Sequence, residues 1–515
     1  MSENQQTQPN VIVVVADTLR TAFLGCYGND WIHTPSIDRF AQQSVRFTRA
    51  HPECLPTIPT RRTLHSGRRA FPFNDYRPVP WDNVYLPGWQ PMNAGESTIA
   101  ETLQQAGYHT GFVADVPHYF VPGMNFTRGF QQWEFVRGQA EDRWHAVADV
   151  PHYFVPGMNF TRGFQQWEFV RGQAEDRWHA VADADPALLD RYRAGASDRI
   201  AAHLVNVRPQ LPEEEWPTAR TFQWAIDFLR ANHPPGRNRD TSPFYLYVDS
   251  FTPHETWEAP LHYYDLYGTR AQREPICLTA AYGPFADQYD DRIPSIRANY
   301  AGLVTMVDTW FGRLLNTVDQ LGLRDNTLIF FFSDHGTNFG DNPDGIMGKP
   351  ADYMYPGTMN IPLLMRHPAG LGAGWVRDEF VYTLDVPATI LAATRQQSAD
   401  PVEGRSLLPL LDDGGEFARR EYLTCRYGNA VWYRDDRNWF FDSIDWQTPS
   451  NERQPVTRLF DLETDPECRL NIAGNSPQRV ALARQRILAD AGGHLNYYER
   501  QDSTDALGRP VFSSR

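Results

Sequence analysis

Two short stretches of the chain are apolar at nearly every position, and each runs into an aspartate. Val11-Ile12-Val13-Val14-Val15-Ala16 ends on Asp17, and Leu328-Ile329-Phe330-Phe331-Phe332-Ser333 ends on Asp334-His335. A strand with one wet face alternates apolar and polar residues, so an unbroken β-branched or aromatic run predicts a parallel strand covered on both faces. Elsewhere the apolar spacing changes to the helical period. Leu303, Val307, Trp310, Leu314 and Val318 share one face of a helix ahead of the second strand. Thr98 and Glu101 form a capping box before Ile99, Leu103 and Ala106, with Gly107 as the stop. The alternation predicts an α/β fold, a large and mostly parallel sheet sandwiched by helices. Past residue 410 the segments become shorter and more polar. The expected division is a catalytic domain over 1–410 and a smaller C-terminal α+β domain with a tail over 411–515.

One stretch breaks this pattern, because residues 113–146 and 147–180 are the same 34 residues twice. That period invites a helical-repeat reading. Two identical copies, rich in Pro, Gly and aromatic residues, do not build a solenoid. One copy is expected to serve the fold and the other to form an added loop. Gly107 to Phe112 supplies a strand ahead of the first copy, and nothing equivalent precedes the second.

Composition narrows the classes. The 515 residues are 41% hydrophobic, enough for a large core, and carry a formal net charge of −15 with no run rich in Lys or Arg. A nucleic-acid partner is excluded on that charge balance. Five scattered cysteines show no zinc or redox spacing, which fits a reduced compartment. The N-terminus is polar, and no apolar run approaches the roughly 20 residues of a membrane span. A soluble cytoplasmic protein without a membrane partner is the expectation.

The chemistry centres on Thr57-Ile58-Pro59-Thr60-Arg61, closed by Ser66-Gly67-Arg68. Around it stand Asp17-Thr18-Leu19-Arg20, Pro253-His254-Glu255-Thr256-Trp257, Ser333-Asp334-His335-Gly336, Gly348-Lys349, Arg405-Ser406-Leu407-Leu408 and Leu459-Phe460-Asp461-Leu462. In this order these blocks resemble the sulfatase-like branch of the alkaline phosphatase superfamily. Thr57 occupies the position whose cysteine that family oxidises to formylglycine, and threonine cannot become formylglycine. A second register, from Cys54-Leu55-Pro56-Thr57, would put Ile58 in place of the arginine and leave Ser-Gly-Arg three residues out of step. Thr57 also reads as a helix N-cap with Pro59 in the first turn, compatible with a nucleophile placed at the positive end of a helix.

The resemblance implies that Asp17, Asp334 and His335 hold one divalent cation, with the Thr57 oxygen completing its shell. Carboxylates with one imidazole favour Mn²⁺, with Ca²⁺, Mg²⁺ or Zn²⁺ as alternatives. Thr18 stands where the family often has a second acid. That departure, with His335, brings the pattern nearer to phosphonate monoester hydrolases and phosphodiesterases than to arylsulfatases. The implied reaction is attack of Thr57 on phosphorus while Arg61 and Lys349 neutralise the ester oxygens and His254 protonates the leaving group. His118 and Arg68 are implied substrate-binding residues, with His152 of the second copy as a rival to His118. The expected substrate is a small anionic ester, and self-association into a homo-oligomer is left open. A sulfatase and a non-catalytic binder of anionic esters are the alternative readings.

Overall fold

The computed structural model describes residues 8–76, 86–120, 123–136, 212–233, 242–273, 282–284, 292–444, 456–504 and 510–514. The second copy of the duplication, with His152, lies outside them. At the centre is an eight-stranded sheet in the order Val376–Arg377, Val45–Phe47, Leu363–Arg366, Thr327–Phe332, Asn10–Ala16, Phe244–Ser250, His109–Ala114, Gln132–Phe135. The five strands from Thr327–Phe332 to Gln132–Phe135 are all parallel. Leu363–Arg366 runs antiparallel to both its neighbours. The first copy of the duplication therefore enters the sheet twice, through Val113-Ala114 and through Gln132–Phe135.

Unbroken apolar strands need cover on both faces, and they have it. Ile12, Val14 and Ala16 pack with the helices Pro35–Gln42, Pro217–Asn232 and Ile293–Gln320. Val11, Val13 and Val15 face the other way, with residues of Ile99–Gln105 and Asp385–Thr394. The Thr98 box is formed: its Oγ1 accepts from the Glu101 N–H at 2.9 Å, and a Glu101 oxygen accepts from the Thr98 N–H at 2.9 Å. Gly107 follows at φ +88°, a left-handed conformation that stops the helix. Thr98→Ala is expected to cost about 1 kcal/mol, read as a lowered urea midpoint at unchanged slope.

A second sheet, of five strands, follows the order Thr457–Asp461, Asn438–Ser443, Ala430–Arg434, Leu423–Tyr427, Cys54–Leu55. Its last member comes from the other end of the chain. Cys54 and Leu55 pair in parallel with Arg426 and Tyr427, immediately before the helix that carries Thr57. Arg426 is fully buried, with no carboxylate partner among the described residues; its guanidinium donates to the carbonyls of Gly428, Pro72 and Asn496 and lies over the rings of Phe73 and Tyr498. Among the described residues, no helix is long and apolar enough to cross a membrane.

Candidate active site

Three adjacent parallel strands deliver an aspartate each from their carboxyl ends. Asp17 follows Ala16, Asp334 follows Ser333, and Asp249 lies one residue before the end of Phe244–Ser250. All three are fully buried, as is the Arg61 that they surround. Arg61 donates from Nε and Nη2 to the two oxygens of Asp249 at 2.9 and 2.8 Å, from Nη2 to Asp17 at 3.0 Å, and from Nη1 to Asp334. The planar guanidinium suits this fork, with donors in fixed directions for three acceptors. Tyr119 adds its hydroxyl to Asp249 and its ring beneath Arg61. Sequence inspection misses Asp249, although the same signal marks it, since Leu246-Tyr247-Val248 runs into it as an apolar strand end.

Asp17 and Asp334 share this pocket unequally. Burial pushes the Asp17 carboxyl well up, and the Asp334 charge adds to that. Burial also works against ionised Asp334, but Arg61, His335 and the Thr18 N–H hold it down at about 2. Thr18 takes a left-handed φ of 64°, costly for a β-branched residue. In that conformation its N–H reaches Asp334 at 3.1 Å and its hydroxyl donates to Asp17 at 2.6 Å. Tyr300 fixes the turn by donating to the Thr18 carbonyl at 2.7 Å.

His335 completes the cluster. Its Nδ1 lies 3.0 Å from the Gly336 carbonyl, which can only accept, so Nδ1 carries the proton and Nε2 presents a lone pair. Burial lowers the imidazole to about 4, so it is neutral at physiological pH. Among the described residues Nε2 is buried without a hydrogen-bond partner, 3.4 Å from Asp334 and 4.0 Å from Asp17. One ligand atom each from Asp17, Asp334 and His335 lie within 4.8 Å of one another. An orphaned imidazole nitrogen facing two buried carboxylates fits a divalent cation, which would satisfy the nitrogen and offset the negative charge.

Thr57 is buried and is the first residue of the helix Thr57–Ser66, with Pro56 at the cap position. The N-cap expectation is thus off by one residue, and no side chain caps this helix end. Thr57 and Arg61 are one turn apart on one face, so the face that reaches the three aspartates is the one Thr57 opens. Cys54 belongs elsewhere. It sits in the short strand before the helix, in an apolar cluster with Ala70, Phe73, Tyr76 and Tyr498, and burial and then Glu53 push its thiol well up.

His254 and Lys349 come together at 2.9 Å between Nε2 and Nζ. Nδ1 of His254 lies 2.7 Å from the Glu255 carbonyl and so carries the proton, leaving Nε2 to accept from the Lys349 ammonium. The Glu255 carboxylate accepts from Lys349 at 2.9 Å and from the Tyr282 hydroxyl at 2.9 Å. Burial opposes its charge, yet Lys349 and His254 hold it at about 2.

His118 follows the strand His109–Ala114 on the side of the sheet's carboxyl ends, its ring edge-on to Trp89 at 4.7 Å. Arg68 is not brought to the cluster. It is exposed beyond the far end of the ten-residue helix, about 15 Å of helix from Thr57. The helix that points its first turn at the aspartates carries Arg68 away from them.

A carboxylate and histidine cluster at the strand ends of a large parallel sheet, met by a helix N-terminus, defines a hydrolase of the alkaline phosphatase superfamily. The chain belongs to the sulfatase family, whose model matches residues 9–396; the model for the N-sulphoglucosamine sulphohydrolase C-terminal region matches residues 350–487. It is 25% identical to an arylsulfatase of Clostridium perfringens, over 95% of this chain and 96% of the relative. Similarity to the multifunctional alkaline phosphatase superfamily protein PehA of Trinickia caryophylli is 24%, over 96% of each chain. The fold is shared with the phosphonate monoester hydrolase of Agrobacterium radiobacter, at a TM-score of 0.65 and 20% identity over 98% of this chain and 99% of that one. Sulfatase-family enzymes use a divalent metal.

Proposed function

We propose that the chain hydrolyses phosphate diesters or phosphonate monoesters through a covalent intermediate on Thr57, with one divalent cation, Mn²⁺ favoured, on Asp17, Asp334, His335 and the Thr57 oxygen. The observation that carries this reading is Thr57, a hydroxyl that cannot be oxidised to formylglycine, at the helix N-terminus one turn before Arg61. A cation there would supply Lewis-acid polarisation of the ester oxygens and a lowered pKa for a neighbouring hydroxyl. The Thr57 oxygen bonds to phosphorus as its proton passes to solvent water, and the bond from phosphorus to the leaving ester oxygen breaks. That oxygen takes a proton from the Lys349 and His254 pair, in which Lys349 is the donor. Water then cleaves the phospho-threonine and restores the hydroxyl. Arg61 holds the three aspartates in place, because its guanidinium is already taken up by them.

The test is turnover of aryl phosphodiester, phosphonate and sulfate esters with added Mn²⁺. Phosphoester hydrolysis is expected, and sulfate turnover without phosphoester turnover would overturn the proposal. Sulfate ester hydrolysis is the second reading, favoured by the near full-length similarity to an arylsulfatase. Calorimetric titration of metal-stripped protein with Mn²⁺ is expected to show one site per chain. His335→Ala is expected to weaken that site about 10-fold or more.

A further inference from the structure

We propose that Glu255 sets the charge of ester the site accepts, favouring one negative charge over two. This rests on the reading of the site as an anionic-ester hydrolase. Glu255 is buried, and its carboxylate lies 2.9 Å from the Lys349 ammonium and 3.0 Å from Nδ1 of His254. Tyr282 closes its other oxygen at 2.9 Å, with its ring 5.4 Å from the same ammonium. The residue next to the histidine therefore neutralises the lysine expected to meet the substrate.

Charge decides the consequence. Among the described residues of the connected cluster, both cations are already engaged by carboxylates, Arg61 by Asp17, Asp249 and Asp334, and Lys349 by Glu255. Arg61 has no charge to spare, since three aspartates surround it, and Lys349 is matched by Glu255. A phosphate diester, a phosphonate monoester or a sulfate monoester brings one negative charge at neutral pH. A phosphate monoester brings nearly two, and the second meets no unmatched cation in this cluster. In a buried site, an unmatched charge is strongly disfavoured.

The experiment compares binding of dimethyl phosphate and methyl phosphate to the Mn²⁺-loaded full chain by calorimetry at pH 8, in wild type, Glu255→Gln and Glu255→Asp. Wild type is expected to bind the singly charged ligand more tightly. Glu255→Gln should raise affinity for methyl phosphate about tenfold relative to dimethyl phosphate, the scale of one charge in a partly screened site. Glu255→Asp should keep the wild-type order. Tighter binding of methyl phosphate by wild type overturns the proposal without any variant, as does an equal effect of Glu255→Gln on both ligands. Binding does not depend on which ester is turned over, so sulfate-only turnover would remove the phosphoester reading and leave the Glu255 result standing.

Discussion

Thr57→Ala is expected to lower kcat roughly 10³-fold or more on any ester the protein hydrolyses, because it deletes the oxygen that forms the covalent bond in the proposed reaction. The fold should survive the change. Thr57 makes no cap bond, and alanine is the best helix former, so a thermal melt close to wild type is expected beside the loss of turnover. Thr57→Ser keeps a hydroxyl in the same place, primary instead of secondary, and is expected to stay within about 10-fold of wild type. Steady-state kinetics on wild type and the two variants decides the matter, and full activity of the alanine form would remove Thr57 from the chemistry. Mass spectrometry of the peptide containing Cys54 should find an unmodified thiol. An aldehyde at that position would return the nucleophile to the other register.

Arg61→Met is expected to be the most destabilising single change in the site, by about 3–5 kcal/mol, since it strands three buried carboxylates around an apolar side chain. Their burial is complete, so no solvent replaces the missing charge. Arg61→Lys restores the charge but not the fork, because one ammonium cannot reproduce donors that lie on Asp249, Asp17 and Asp334 together. The expected order of denaturation midpoints is wild type, then lysine, then methionine. Added Mn²⁺ should recover part of the loss, because a cation on Asp17 and Asp334 supplies charge that the variant lacks. Equal stability of all three would mean that the carboxylates are protonated and Arg61 is dispensable to the fold.

The strand ends are the most legible part of this site. Asp17 and Asp334 stand out because an apolar run that stops on an acid combines two local signals, a buried strand and a polar residue at its carboxyl end. Asp249 carries the same signal more faintly, since its strand continues through Ser250 and is built from aromatics as much as from β-branched residues. What Arg61 touches is not local information. Its partners come from three strands separated by long crossovers, and only the order of those strands in the sheet brings them to one point. Glu255 sits beside His254 in the chain, but its meaning depends on Lys349, which reaches it through a different sheet. Arg68 shows the converse, a motif residue that is in register by sequence and far from the cluster because a helix has direction. The division near residue 410 reads a change in composition, whereas the five-stranded sheet draws its last strand from before Thr57.

That borrowed strand also sets an order of events. During synthesis, Cys54-Leu55 and the helix Thr57–Ser66 leave the ribosome well before their partner Leu423–Tyr427 and the Asn496 carbonyl that receives Arg426. The segment ahead of Thr57 therefore lacks its sheet partner until Leu423–Tyr427 has been made. A chain that stops near residue 410 holds Asp17, Asp334 and His335 and still lacks the seam beside the helix that carries Thr57.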